Sequence, residues 1–333
     1  MAHVHLFRLR NILIYLLAAL FAGAAAFTHH FFLSLDQPYR DSHAPANVVI
    51  PRGWGARRIA LLLENYGLIP NQWTFLAAAK MEGAAGGLQA GEYDAATALS
   101  PRQWVNTLRQ GERITHRLTI PEGWNTRQIA GQLEKQSLLT QECFLAVCQD
   151  PSFLRSQGIR AEEAEGYLFP ETYSFERPVS ATGVAEVMID EFQRRSRQLG
   201  GISHDQLTLA SIIQKEVARP EDMKKAAAVF LNRLRLKRPL ESDATTLYAM
   251  KRAGEQFETL DTDFDSPYNT YKQPGLPPGP VCNPGIEAMR AVIEPAKGDW
   301  LYFLSDKHGN LYFSRTHREH VRLKHRLRKQ DNY

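Results

Sequence analysis

The sequence predicts an α+β protein in three parts: an N-terminal transmembrane helix, a small βααβ module and a larger mixed α+β domain. Three observations carry that expectation. Residues Ile12 to Phe27 form an uncharged apolar run. A short β-rich run, a Pro-x-Gly turn and an amphipathic helix occur twice, offset by 70 residues. Beyond them, helical apolar stripes lead into a loop crowded with Pro and Gly. The chain has 333 residues, 44% of them hydrophobic and 23% charged, ordinary values for a folded protein of about two domains. They exclude a mostly disordered chain, a collagen-like repeat and a multi-span membrane protein. The net charge of +4 gathers at the end, where seven Lys/Arg from Arg315 onward face Glu319 and Asp331. That balance implies no nucleic-acid partner.

The N-terminal segment divides into residues 1–10, with Arg8 and Arg10, and an anchor over residues 11–28. With Asn11 and Thr28 the run reaches the lower end of the ~17–25 residues that cross a bilayer. Basic residues before it predict a cytoplasmic N-terminus and a body outside the cytoplasm. The rival is a cleaved signal peptide, for which Ala22-Gly23-Ala24 and Ala24-Ala25-Ala26 offer small-x-small sites. A buried soluble helix fits less well, because nothing amphipathic flanks the run.

Residues 45–112 form the small module. Its first repeat copy runs Val48-Val49-Ile50-Pro51-Arg52-Gly53-Trp54, then Arg57-Arg58-Ile59-Ala60, Leu63-Glu64 and Gly67-Leu68-Ile69. The second runs Leu118-Thr119-Ile120-Pro121-Glu122-Gly123-Trp124, then Arg127-Gln128-Ile129-Ala130, Leu133-Glu134 and Leu138-Leu139. In the first copy a second helix is expected over 72–80 and a strand over 91–94. Ser100-Pro101 then opens a further helix, with Ser as N-cap and Pro in the first turn. A βααβ unit outside the cytoplasm resembles the LysM fold, which implies contact with N-acetylhexosamine polymers. A spacer that sets the height of the next domain is the equal alternative.

Residues 113–325 form the larger domain, followed by a basic tail over 326–333. Cys143, Cys148 and Cys282 include no CxxC and stand near no histidine at ligand spacing, so no metal site is expected. A Cys143–Cys148 bridge is conceivable in an oxidising compartment; free, mostly buried thiols are the favoured reading. On a helical wheel of Leu207–Ala218, Leu209, Ile212, Ile213 and Val217 make one apolar stripe and Glu216 falls inside it. Ser211, Gln214 and Lys215 fall on the other side. A carboxyl group in an apolar stripe resists ionisation, as a general acid requires. The alternative is a Glu paired with Arg233 or Arg235 on the next helix. Six of the seven residues 274–280 are Pro or Gly. Asn269 and Tyr271 at the mouth of that rigid loop suit sugar hydroxyls and pyranose faces; a structural turn is the alternative.

The order Glu165-Gly166-Tyr167-Leu168-Phe169-Pro170-Glu171-Thr172-Tyr173, then LASIIQKE ending at Glu216, FLNRL, Ser242-Asp243-x-Thr245, Tyr268-Asn269-Thr270-Tyr271 and Gly275-to-Gly285 resembles the YceG-like, MltG-type endolytic murein transglycosylases. The resemblance covers nearly the whole chain. It implies a YceG-like catalytic domain behind a LysM-like module and a single-pass inner-membrane anchor. It also implies cleavage within nascent peptidoglycan strands in the periplasm, leaving 1,6-anhydro-N-acetylmuramic ends. Glu216 occupies the position of the family's catalytic acid. Three positions depart from the pattern: Gln214 replaces an acid, Ala244 a Pro, and Asn310-Leu311-Tyr312-Phe313 stands where a Gly-x-His-x-Phe run is common.

A lytic transglycosylase needs one carboxylic acid. Glu216 would protonate the glycosidic oxygen and then take the proton of the sugar's own C6 hydroxyl. Asp243, Asn269 and Tyr271 are candidates to bind the sugar. No metal and no cofactor are expected, and peptidoglycan synthases are plausible partners beside the glycan strands. Two rivals stay open. One is a hydrolytic muramidase with Asp243 as second carboxylate; the other is a non-catalytic peptidoglycan-binding scaffold.

Overall fold

The computed structural model describes residues 2–84, 86–253 and 259–331. It divides into two compact units, residues 1–116 with 175–178, and residues 117–174 with 179–333.

The first unit opens with helix α1 (Ala2–Ser34). Among the described residues its stretch Ile14–Ser34 is long and apolar enough to cross a membrane, and none of that stretch is buried. The helix does not stop after residue 28 as expected. His29 and His30 continue it into Phe31-Phe32-Leu33, because no Gly or Pro breaks the helical pattern before Pro38. Leu35, directly after α1, is buried, and its carbonyl accepts from Arg102 N–H at 3.1 Å.

Strand β1 (Asn47–Ile50), helix α2 (Ala56–Asn65), helix α3 (Gln72–Met81) and strand β2 (Gly91–Asp94) follow, so the expected βααβ order is present. β1 and β2 are antiparallel, with Val48 opposite Tyr93 and Ile50 opposite Gly91. Val48 and Ile50 alternate inward onto Ile59, Leu63 and Phe75. Helix α4 (Pro101–Gln110) starts on a Ser100–Gln103 capping box. It closes the core with Trp104, whose indole N–H donates to Leu68 O at 3.2 Å.

The repeat extends beyond its sequence signature. Strand β3 (Thr115–Thr119) is followed by helices α5 (Thr126–Lys135), α6 (Gln141–Cys148) and α7 (Pro151–Ser156), then strand β4 (Thr172–Glu176). β4 pairs with β3, and Ile120 N–H donates to Glu171 O at 3.0 Å. The second copy is therefore also two strands around paired helices, with α7 inserted. Cys143 is exposed and free, while Cys148 and Cys282 are free and buried.

The rest of the second unit comprises α8 (Ala181–Gln198), α9 (His204–Glu216), α10 (Pro220–Arg235), α11 (Asp243–Arg252), α12 (Ile286–Ile293), strands β5 (Tyr302–Ser305) and β6 (Leu311–Ser314), and α13 (His317–Asp331). Its core centres on α9, where every residue from Leu207 to Ile213 is buried, against Ala226, Phe230, Val281, Met289 and Val292. A helix enclosed on all sides has no water-facing stripe. This corrects the expected polar side at Ser211, whereas Lys215, beyond the enclosed stretch, is exposed as expected. Ser211 is fully buried, donates to Thr208 O at 2.7 Å and accepts from Val281 N–H at 3.0 Å. A small hydroxyl satisfied by backbone is tolerated there. The basic segment is no separate tail either: residue 326 falls inside α13, and residues 332 and 333 lie outside the described residues.

Both repeat copies end their first helix the same way. Gly67 and Ser137 have φ of 65° and 53°. Leu68 N–H donates to Leu63 O, and Leu138 N–H to Leu133 O, at 2.8 and 3.0 Å, a Schellman closure. The residues differ because a Cβ on Gly67 would lie 2.5 Å from Asp41 Cβ. Left-handed backbone costs a non-glycine residue about 1–2 kcal/mol. Gly67→Ser adds an overpacking cost of about 1–3 kcal/mol. Ser137→Gly removes the strain but loosens the unfolded chain, leaving stability unchanged or raised by up to about 1 kcal/mol. Denaturant melts of the two variants check this asymmetry; equal effects would remove the account of Gly67.

Candidate active site

Glu216 is the last residue of α9. Val217 turns extended and Arg219 precedes Pro220, where helical backbone is disfavoured, so the helix ends at the carboxylate. Its side chain lines a cleft of about 510 Å³ with Asp243, Lys215, Arg127, Lys251 and Tyr248 among the walls.

The carboxyl group of Glu216 accepts from Ser242 Oγ at 2.5 Å. Burial holds its pKa above the usual carboxylate range. The Ser242 hydroxyl and the Ala244 backbone N–H pull it down, and the charge of Asp243 pushes it further up. The partial negative charge at the C-terminal end of α9 also disfavours a carboxylate there. Neither arginine considered as its partner pairs with it. Arg233 binds Glu241 Oε2 at 2.8 Å and the carbonyls of Leu240 and Leu301 at 3.0 and 2.8 Å. Arg235 donates to Asn232 Oδ1 at 3.2 Å.

Ser242 stands at the N-cap of α11, yet its hydroxyl makes no capping bond, because it is turned to Glu216. Buried threonines fix it there. Ser242 N–H donates to Thr270 Oγ1 at 3.0 Å, Thr245 Oγ1 donates to Ser242 O at 2.8 Å, and the two threonine hydroxyls lie 2.8 Å apart.

The four sequence-selected residues take three kinds of position. Glu216 and Asp243 line the cleft together. Tyr271 reaches it through Asp243, to whose Oδ1 its hydroxyl donates. Asn269 is not at a rim: it is fully buried. Its Nδ2 donates to Thr262 O and Phe264 O, both at 2.8 Å, and its Oδ1 accepts from Tyr271 N–H at 3.0 Å and Thr246 Oγ1 at 3.1 Å. Its amide oxygen and nitrogen are both engaged in holding the loop. Gln214 accepts from Gly285 N–H at 2.9 Å, so it serves the 283–285 turn.

Sequence reasoning assigned no part to Ser242, the Ala244 N–H or Glu165. The Ser at a helix start was a visible signal, but it reads as a cap. Glu165, inside the Glu-Gly-Tyr-Leu-Phe-Pro run, is 5% exposed. Burial pushes its pKa up to about 8, while hydrogen bonds from Thr126 N–H and Tyr248 oppose that rise. It accepts from Thr126 N–H at 3.2 Å, Asn283 Nδ2 at 3.1 Å and Tyr248 OH at 3.3 Å. It thereby ties the start of α5 to the Asn-Pro-Gly turn.

An acid poised at a helix end beside an open cleft, on an α+β frame with one long apolar N-terminal helix, defines a candidate acid–base enzyme. The sequence model of the YceG-like family matches residues 48–326, and the chain belongs to that family. An endolytic murein transglycosylase of Bacillus subtilis (strain 168) is 32% identical over 314 residues, covering 87% of each chain. One from Streptococcus pneumoniae serotype 2 is 33% identical over 347 residues, covering 91% of this chain and 62% of its own length. A crystal structure of a YceG-like protein from Listeria monocytogenes is 34% identical, with a TM-score of 0.56 over 83% of this chain and 98% of that one.

The raised pKa of Glu216 has a signed consequence for stability. The folded state binds this proton more tightly than the unfolded state, whose Glu titrates near about 4.3. Stability from this group is therefore full below about pH 4 and falls as pH rises towards the folded pKa. Glu216→Gln removes that loss. Its melting temperature is expected above wild type near pH 7, with the gap closing below about pH 4. A variant less stable than wild type at neutral pH would show that the carboxyl is held ionised.

Proposed function

We propose that the chain is an endolytic peptidoglycan lytic transglycosylase, cleaving the MurNAc-GlcNAc β-1,4 bond inside nascent strands. The observation that carries this is the Glu216 carboxyl: half-buried, paired with no cation among the described residues, bonded by the Ser242 hydroxyl and the Ala244 N–H, and open to a cleft. Protonated, Glu216 donates to the glycosidic oxygen as the C1–O bond breaks through an oxocarbenium-like state. Ionised, it accepts the proton of the C6 hydroxyl, whose oxygen closes on C1 to form the 1,6-anhydro ring. The tethered nucleophile replaces activated water. Ser242 and the Ala244 N–H stabilise the ionised half of the cycle. Asp243, steadied by Tyr271, orients the sugar and faces the developing positive charge, and Asn269 acts only through the loop it holds.

The N-terminal helix anchors the enzyme in the inner membrane, with its N-terminus cytoplasmic and its catalytic unit periplasmic. The βααβ unit is LysM-like and contacts or spaces the glycan. Peptidoglycan synthases, which make the strands cut here, are fitting partners. Detergent-free fractionation is expected to leave the full-length chain with the membrane; a shortened soluble form as the main species would identify a cleaved signal.

Digestion of purified sacculi separates the chemistries. Wild type is expected to release products lighter by one water than hydrolytic ones, and Glu216→Gln to lose about 10²–10⁴-fold in rate. Reducing-end products would identify a muramidase, and retained cleavage by the variant would remove Glu216 from the reaction. Ser242→Ala and Ala244→Pro each delete a donor to the carboxylate, the second because Pro has no N–H and is tolerated in a first helical turn. Both are expected to raise the Glu216 pKa and move the alkaline limb of kcat/KM to higher pH. A shift to lower pH would reverse the assigned roles.

A further inference from the structure

Glu216 borders a second cavity, of about 430 Å³, whose walls include Leu304, Ser305, His320, Lys324 and Arg328. Among the described residues, Glu216 alone lines both this cavity and the cleft of Asp243. An enzyme that cuts inside a strand must hold saccharide on both sides of the scissile bond, and the acid stands where two spaces meet.

The second wall is the C-terminal helix. His320, Lys324 and Arg328 recur at every fourth residue of α13 and so share one face. Leu327 beside them is 6% exposed, and the His320 ring stacks on Tyr302 at 5.2 Å, fixing that face against the β5–β6 hairpin. Lys324 and Arg328 are exposed and pair with no carboxylate among the described residues. His320 Nδ1 is enclosed and has no hydrogen-bond partner there. The amino-sugar backbone of peptidoglycan is uncharged. The anionic groups belong to the peptide stem carried by each muramyl lactate.

Resting on the transglycosylase reading, we propose that α13 is a wall of the substrate groove, where Lys324 and Arg328 bind carboxylates of the peptide stem next to the scissile bond. The enzyme then prefers strands that carry peptides to strands stripped of them. Charge-assisted bonds of this kind hold both position and affinity, and salt weakens them at an exposed site.

The test uses the full chain and two defined glycan strands of equal length, one with peptide stems and one with the stems removed by an amidase. Binding is measured in the Glu216→Gln background, with and without Lys324→Gln plus Arg328→Gln. The double substitution is expected to weaken binding to the peptide-bearing strand about tenfold or more, and to the bare strand less than twofold. The gap should narrow as salt is raised, with the melting temperature unchanged. Equal losses on both strands, or none, would overturn the inference. So would loss of binding to vesicles containing phosphatidylglycerol with strand binding intact, which would make α13 a membrane-facing helix. Cleavage of the same strands by the wild-type chain, beside Lys324→Gln plus Arg328→Gln, keeps the two readings apart. Selective binding without any anhydro product would sink the transglycosylase and leave the stem site standing. Anhydro products without selectivity would do the reverse. Absence of binding to either strand would overturn both.

Discussion

A carboxyl group at the negative end of a buried helix resists ionisation more than one in water, and the second unit is arranged around that fact. Helix α9 is enclosed from Leu207 to Ile213, so its path has almost no freedom. Its end delivers Glu216 to the border of two cavities. The opposing contributions are small and specific: one serine hydroxyl and one backbone N–H favour the charged form. An acid–base group that must serve in both protonation states needs such a balance, because a fully desolvated acid would release its proton with difficulty and a fully solvated one would not hold it.

The loops around the acid are held by side chains, because their own backbone is poor in donors. Residues 274–280 are nearly all Pro and Gly. Asn283 compensates. Its Nδ2 reaches Trp124 O at 2.9 Å and Glu165, and its Oδ1 accepts from Leu168 N–H at 2.9 Å. Asn269 does the same for the 262–271 stretch. Gly166 allows the close packing, since a Cβ there would lie 2.5 Å from Pro280 Cγ. These residues read as a motif because the motif is a knot of mutually dependent contacts, not because each touches a ligand.

That distinction marks what could be read from the sequence. The βααβ order, the capping of α4 and the placement of Glu216 follow from periodicity and turn chemistry, which are local. The error over Ser211 came from assuming that one side of α9 faces water, whereas tertiary enclosure decides that. Asn269 looked like a rim residue because polar residues beside Pro-rich loops often are. Its burial depends on carbonyls that no local pattern specifies. Ser242 carried a helix-start signal that the fold diverts to another use. Lys324 and Arg328 blended into the run of basic residues from Arg315 onward, and only the return of α13 to the β5–β6 hairpin brings them to the cavity that Glu216 borders.

Helix α1 passes into the first unit within one residue, since Leu35 is already buried and bonded to Arg102. There is no slack between this helix and the fold that follows it. With α1 in a bilayer, the attached module cannot wander as a bead on a string would. Its search for strands is confined to a thin layer, and its working concentration is counted per area of membrane. A soluble version lacking α1 would meet the same strands by diffusion through volume. Rates measured in that form describe the chemistry of the cleft and not the frequency of cutting at a surface.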